Sequence, residues 1–364
     1  MNDLQDSPRS SLHGLFLPLI TPFRDGEFDE ASLRRLVRHY AALPVNGLVL
    51  AATTGESLTL TPEETERLVF AVRDEIRAFS SEVGTGSREE NASNEAAEPP
   101  LRFNRNAGSG GNRNFPICLG LSGSNTRAML DTLDRTSGWP IDFYLISCPY
   151  YSRPSQHGLQ LHFGALADRA THPVALYNIP YRTGVNLGNE ATLRLAGHPN
   201  IVGLKDCSAD RNQSRDLLHR RAAGFAVLTG EDTQYHEALT DGADGGILAA
   251  AHIETETFAR ISDLVMTGER EAALSRWRSV ADLARLLFTE PSPAPIKHWL
   301  WRTGLIDSAE VRLPMTEVSA ELAARLDAEM ERRLSNQREE PTGRANARPV
   351  TGSLTNLNLS ETHP

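Results

Sequence analysis

The chain has 364 residues, 40% of them hydrophobic and 23% charged, with a formal net charge of −10 and a pI near 5.6. That is globular composition with material for a large core, and no long basic cluster interrupts the acidic balance, which argues against nucleic acid or an anionic membrane as partner. No run of about 20 apolar residues is present to span a bilayer.

Residues 1–13 form a polar tail without the charged-then-apolar order of a signal peptide. The apolar run LFLPLI from Leu15 is the first candidate strand. Glu30 to Ala42 carries Leu33, Leu36 and Val37 at helical spacing, and a second apolar run, GLVLAA, starts at Gly47. A helix is predicted from Pro62 to Arg77, with Thr61 as N-cap, Pro62 at the first helical position and Glu63 and Glu64 in the first turn. From about Ser80 to Asn114 the composition shifts to Gly, Ser, Asn and Glu. Such a stretch buries too little to offset its ordering entropy, and it reads as a low-complexity insertion at 80–114. Apolar runs then resume with PICLGL from Pro116, FYLIS from Phe143, VALYN from Val174, IVGLK from Ile201, FAVLTG from Phe225 and GGILAA from Gly245. From about Glu256 to Leu334 the pattern is wholly helical, and 335–364 reads as a second polar tail.

Most of these eight runs are continuously apolar, as parallel strands buried on both faces are. Eight strands interleaved with helices predict an α/β fold, a (β/α)8 TIM barrel over 14–252, followed by a C-terminal helical extension over 253–334. A doubly wound open sheet is the alternative, but the first strand-to-helix turn lacks its glycine fingerprint. Cys118, Cys148 and Cys207 are an odd number without CxxC spacing and sit in or beside apolar runs. They read as small buried hydrophobes in a reducing, cytoplasmic setting.

In such a barrel the chemistry gathers at the C-terminal ends of the strands. These ends present Thr53-Thr54-Gly55-Glu56, Pro149-Tyr150-Tyr151, Tyr177-Asn178, Lys205-Asp206 and Gly230-Glu231-Asp232. No His/Cys/carboxylate group has metal-ligand spacing, so neither metal nor cofactor is expected. A lysine ringed by apolar strands is partly desolvated, which favours the neutral amine that attacks a carbonyl; taken singly, a solvated lysine opening a loop is the commoner case. Tyr177, one strand earlier, can both donate and accept a proton. Thr53 and Thr54 could hold a carboxylate, or simply make a turn. Arg182 offers a planar fork for a second carboxylate, or a surface ion pair. His157, His162 and His252 are scattered and read as structural.

The motifs ATTGES (Ala52 to Ser57, with Ala51 before it), PYYSRPSQHG (Pro149 to Gly158), YNIPYRTG (Tyr177 to Gly184), GLKD (Gly203 to Asp206), TGED (Thr229 to Asp232), DGADGGI (Asp241 to Ile247) and RLPM (Arg312 to Met315) stand in one order. From about Gly14 to Met315 the chain resembles the dihydrodipicolinate synthase / N-acetylneuraminate lyase family. The resemblance implies a pyruvate imine at Lys205 and a proton relay of Tyr177, Thr53 and Tyr151, the last reaching in from a neighbouring subunit of a homodimer or homotetramer. It implies that Thr54 holds the pyruvate carboxylate and that Ile247 lines the pocket through its carbonyl. In the synthase branch it implies that Arg182 binds the carboxylate of aspartate semialdehyde. Three features depart from that branch: Ala52 in place of a usual Gly, Asp206 in place of a usual Glu, and GLSGSN (Gly120 to Asn125), one residue longer than the usual turn. Pro62 and Thr65 stand where some relatives carry the histidines of a lysine feedback site. Two readings compete with the synthase: an aldolase or dehydratase of a 2-keto-3-deoxy sugar acid, which Asp206 favours, and a catalytically silent barrel serving as a binding protein.

Overall fold

The structure, a computed structural model, describes residues 12–86 and 115–339. The strands β1 (Gly14–Pro18), β4 (Gly47–Leu50), β5 (Ile117–Leu121), β6 (Phe143–Ser147), β7 (Val174–Asn178), β8 (Ile201–Asp206), β9 (Ala226–Thr229) and β10 (Gly245–Ile247) close into one barrel, ordered β1-β10-β9-β8-β7-β6-β5-β4, every pair parallel. All eight apolar runs are thus barrel strands, buried along their whole length. A small antiparallel hairpin, β2 (Phe23–Arg24) and β3 (Glu27–Phe28), follows β1. Its Asp25-Gly26 turn has φ of 54° and 81°, the left-handed pair that a tight hairpin needs.

The helices on the outer face are α1 (Glu30–Ala41), α2 (Pro62–Gly86), α3 (Thr126–Thr136), α4 (Gln156–Arg169), the short α5 (Pro180–Thr183) and α6 (Asn189–Leu195), α7 (Arg211–Arg220), α8 (Tyr235–Thr240) and α9 (Thr255–Met266). Their starts are set by side chains that accept otherwise orphaned N–H groups: Asp29 for α1, Asn125 for α3, Ser155 for α4 and Asp210 for α7. Thr61 and Glu64 cap α2 reciprocally, Thr61 Oγ1 accepting from the Glu64 N–H at 3.1 Å and Glu64 Oε2 from the Thr61 N–H at 2.9 Å.

Two boundaries differ from the sequence reading. The insertion was expected from about Ser80, but α2 continues to Gly86, because Glu82 there takes a two-pronged bond from Arg38 of α1 at 2.8 and 3.0 Å. The C-terminal tail was expected from 335, but α12 (Ala320–Glu339) runs past it, supported by Glu329 with Arg332 and Arg333 at helical spacing. The remaining parts of the expected N-terminal tail, insertion and C-terminal tail lie outside the described residues. α9 packs on β1 as the barrel's eighth helix, so the helical extension proper begins with α10 (Arg270–Leu286) and continues through α11 (Ala294–Arg302) and α12.

Apolar side chains fill the barrel in layers. Phe16 meets Phe143 edge-on at 5.7 Å between ring centroids, with Val49, Leu145, Val202 and Leu228 around them. A larger core lies between strands and helices. The extension is tied to the barrel by buried charge. Lys297 of α11 is fully buried and forms an ion pair with Glu56 at 2.5 Å, while donating to the Glu310 carbonyl at 2.7 Å. Glu56 Oε2 also accepts the Arg312 N–H at 2.9 Å, and the Arg312 guanidinium grips Glu64 through two bonds of 2.8 and 2.6 Å. Phe23 lies between both cations, 4.3 Å from Lys297 Nζ and 4.1 Å from the Arg312 guanidinium. Burial pulls Lys297 down to about 8 against the attraction of Glu56.

Candidate active site

Parallel pairing sets the centre of the site. In the β7–β8 register Tyr177 stands beside Lys205, and Asn178 beside Asp206. Lys205 is only 6% exposed, and its Nζ lies 4.4 Å from the centroid of the Tyr177 ring. Burial pushes the Tyr177 phenol well above its ordinary range. Next along the barrel wall, Gly230 is required: a Cβ there would collide with the Lys205 stem and the Cys207 sulfur.

Thr53 and Thr54 reach the same hollow from the turn after β4. That turn is folded on itself, with the Glu56 N–H donating to the Thr53 carbonyl at 3.1 Å and Ala51 and Glu56 both left-handed, at φ 48° and 53°. Thr21 Oγ1 fixes Gly55 by donating to its carbonyl at 2.8 Å. Gly120 of β5 lies so close to Ala51 and Ala52 that a side chain there would meet their backbone.

Six of the seven residues singled out from sequence, Lys205, Tyr177, Thr53, Thr54, Arg182 and Ile247, therefore line one open hollow of about 350 Å³ at the C-terminal end of the barrel. Thr53 makes no hydrogen bond to Tyr177 among the described residues. Arg182 stands exposed at the rim beside the Tyr181 ring, and among the described residues it has no carboxylate partner. The chain does not bring the seventh, Tyr151, to this hollow. It is 93% exposed, held at φ 69° with its N–H donating to the Thr183 carbonyl at 3.1 Å.

The hollow also contains residues to which the sequence reading gave no role. Asp232 is buried, accepts the Ala250 N–H at 2.6 Å, and burial raises its carboxyl to about 7. Phe288 and Ser292, from the link between α10 and α11, form one wall. Only chain closure of the extension over the barrel brings them there, and no local pattern marks it. Asp206 points elsewhere: its carboxylate accepts from the Ser208 N–H at 2.9 Å and from the Ser214 hydroxyl of α7 at 2.5 Å. His252 and His162 are buried away from Lys205, and His157 is exposed on α4. No cluster of His, Cys, Asp or Glu suited to a metal ion occurs among the described residues.

A buried lysine amine, a phenol against it and hydroxyls facing both can form and protonate a carbonyl adduct. The model of the dihydrodipicolinate synthetase family matches residues 11–98 and 109–333. The chain belongs to that family. As a member of the dihydrodipicolinate synthetase family it is a lyase on a (β/α)8 barrel with a helical extension. It is 36% identical to 4-hydroxy-tetrahydrodipicolinate synthase 2 of Clostridium acetobutylicum, over 87% of this chain and 98% of the relative. It is 33% identical to the 4-hydroxy-tetrahydrodipicolinate synthase of Xylella fastidiosa, over 85% and 90%. Among solved structures, it resembles dihydrodipicolinate synthase from Acinetobacter baumannii complexed with pyruvate, with a TM-score of 0.75, 29% identity, and 88% and 98% of the two chains covered. It also resembles a monomeric dihydrodipicolinate synthase variant, with a TM-score of 0.77, 26% identity, and 89% and 97% covered. Among the described residues no helix is long and apolar enough to cross a membrane.

Proposed function

We propose that this protein condenses pyruvate with L-aspartate 4-semialdehyde to 4-hydroxy-tetrahydrodipicolinate, in the formation of lysine and diaminopimelate, as a cytoplasmic homodimer or homotetramer. The observation that carries the reading is the placement of Lys205 Nζ against the Tyr177 ring, in a hollow with threonine hydroxyls on one side and the Arg182 guanidinium at its rim. The Lys205 amine attacks the pyruvate carbonyl carbon. Tyr177 protonates the carbinolamine oxygen, which leaves as water, and the imine remains. The Tyr177 phenolate left by that step takes a proton from the methyl group, giving the enamine carbon that attacks the aldehyde. Thr54 holds the pyruvate carboxylate, the Ile247 carbonyl lines the pocket, and Arg182 takes the carboxylate of the second substrate. Thr53 and a Tyr151 delivered by a second copy complete the relay. The exposure of Tyr151, whose side chain makes no hydrogen bond among the described residues, supports that delivery.

The keto-deoxy sugar acid reading rests on Asp206, and the hydrogen bonds of Asp206 lie on the α7 side, where it meets no substrate. Two assays test the proposal. Borohydride with pyruvate should fix an adduct on Lys205, and Lys205→Arg should trap none, because a guanidinium stays protonated. A panel of aspartate semialdehyde against keto-deoxy sugar acids should show turnover with the first. Trapping at a different lysine, or turnover confined to the sugar acids, would refute it; no trapping at all would leave the silent barrel.

A further inference from the structure

The Arg182 fork stands on very little structure. It belongs to α5, a single helical turn that closes at Gly184 with φ of 78°. The back of that turn is pinned through Thr183, whose buried hydroxyl donates to the Ile179 carbonyl at 3.0 Å. Its front is held differently. Tyr181 lines the hollow beside Arg182, and its hydroxyl donates to Glu231 Oε1 at 2.9 Å. Tyr181 follows β7 and Glu231 follows β9, so this bond joins the two strand ends that flank β8, the strand carrying Lys205. Glu231 is itself fixed: its N–H donates to Thr229 Oγ1 at 3.1 Å, and its carbonyl accepts the Gln234 N–H at 3.0 Å. The Arg182 guanidinium carbon lies 5.9 Å from the centroid of the Tyr181 ring, inside the roughly 6 Å reach of a cation on an aromatic ring.

We propose that Tyr181 and Glu231 are positioning residues for the second substrate: Glu231 tethers the Tyr181 ring at the rim, and the ring holds the Arg182 guanidinium where the incoming carboxylate meets it. The proposal rests on the role given to Arg182 above. An exposed arginine gives up rotamer freedom whenever a ligand fixes it, and a surface that holds it beforehand lowers that cost. The choice of surface matters. A direct ion pair with Glu231 would steady Arg182 but consume the planar fork that a substrate carboxylate needs. No such pair joins the two among the described residues; the Tyr181 phenol engages the Glu231 carboxylate instead. An aromatic ring attracts the cation without using up its N–H donors, so the fork stays free. The arrangement thus gives a function to two side chains that take no part in forming the imine, and it acts on the choice of aldehyde alone.

The test separates the two substrates by steady-state kinetics on the full-length protein, with borohydride trapping as the readout of the pyruvate half of the reaction. Tyr181→Phe keeps the ring and removes its tether. KM for L-aspartate 4-semialdehyde should rise about threefold or more, while KM for pyruvate and trapping at Lys205 stay at parent values. Glu231→Ala should match it, and Glu231→Gln, which keeps an acceptor oxygen, should recover part of the loss. The double variant Tyr181→Phe/Glu231→Ala should be no worse than the poorer single one, because both cut one tether. Tyr181→Phe added to Arg182→Ala should cost nothing further, since the group it positions is gone; a merely structural role would multiply the two losses or weaken trapping. A parent-like KM in Tyr181→Phe or Glu231→Ala, no recovery in Glu231→Gln, multiplying losses on the Arg182→Ala background, or loss of trapping in Tyr181→Phe would each overturn the proposal. A clear loss in Arg182→Ala beside a parent-like Tyr181→Phe removes this proposal alone, whereas an Arg182→Ala variant with unchanged aldehyde kinetics removes the role of Arg182 and the proposal with it.

Discussion

At the scale of single residues, the proposed function separates groups that would make the first bond from groups that would choose its partner. Arg182 belongs to the second kind. It is exposed at the rim and its guanidinium has no carboxylate partner among the described residues, so its fork is available for a substrate carboxylate. Loss of one such charge-assisted pair costs about 1.5–3 kcal/mol, or roughly ten- to a hundred-fold in kcat/KM. Arg182→Ala should show that loss with aspartate semialdehyde while pyruvate trapping persists, and Arg182→Lys should recover only part of it. Unchanged kcat/KM in Arg182→Ala would move the keto-deoxy acid reading ahead. His252 governs a different property. Its Nδ1–H donates to the Ala249 carbonyl at 2.8 Å and its Nε2 accepts the Ile20 N–H at 3.3 Å, and burial lowers it to about 4. Between pH 6.5 and about 4 the unfolded chain holds a proton on this ring that the folded chain refuses, so its contribution to stability falls as pH falls, by up to about 3 kcal/mol. Asp232, raised to about 7, works in the opposite sense, since the folded chain holds its proton up to that pH. Urea midpoints across this window, compared between the parent and His252→Gln, should therefore differ in slope by close to one proton; parallel slopes would show that His252 titrates normally.

At the scale of elements, the tie between the turn after β4 and α11 carries the largest electrostatic stake. Lys297→Met would leave the Glu56 carboxylate buried without its cation, a change that typically costs about 3–5 kcal/mol. Thermal unfolding should drop by roughly 5–8 °C, since the unfolding entropy grows with chain size and each kcal/mol shifts the midpoint by about 1.5 degrees here. The double variant Glu56→Gln/Lys297→Met should recover much of that, and an equal loss in both would show that packing, not charge, is at issue. This tie also marks where the sequence was silent. Strands such as Val174–Asn178 were legible because burial on both faces demands unbroken apolar runs, and α2 announced its start through Thr61 and Glu64. Its end at Gly86 was not legible, because the last turns are held by the Arg38–Glu82 pair, which leaves no apolar stripe. Lys205 and Tyr177 could be found as strand ends, and family motifs added Thr53, Thr54, Arg182 and Ile247. Cys207 read only as a hydrophobe, since the approach of its thiol to the Tyr177 oxygen, at 3.9 Å, depends on the register between β7 and β8. Lys297, Phe288 and Ser292 reach the barrel mouth only through the fold of the extension.

At the scale of the whole molecule, the proposed relay is unfinished within one chain, because Tyr151 stands exposed outside the hollow. If a second copy supplies it, specific activity should fall on dilution in step with dissociation measured by sedimentation, and Tyr151→Phe should reduce turnover while leaving pyruvate trapping in place. Activity independent of concentration in a demonstrated monomer would remove Tyr151 from the relay. The insertion makes a second expectation at this scale. Its composition offers little to bury, so replacing residues 87–113 by a short Gly/Ser linker, sparing Glu82 and its bond to Arg38, should change melting temperature and turnover little. A large loss of either would show that the segment packs on the barrel. The bond between Glu56 and the Arg312 N–H, 256 positions apart in the chain, has a consequence for synthesis. At about 5–20 residues per second, the ribosome needs roughly 10–50 s to make the chain between them. Through that interval the turn bearing Thr53 and Thr54 has neither Lys297 nor Arg312 to hold it, although most barrel strands already exist. A chain that stops short of α11 thus carries every residue that lines the hollow but lacks Lys297 and Arg312, so on the proposed reading truncation before Ala294 should cost activity although no lining residue is lost.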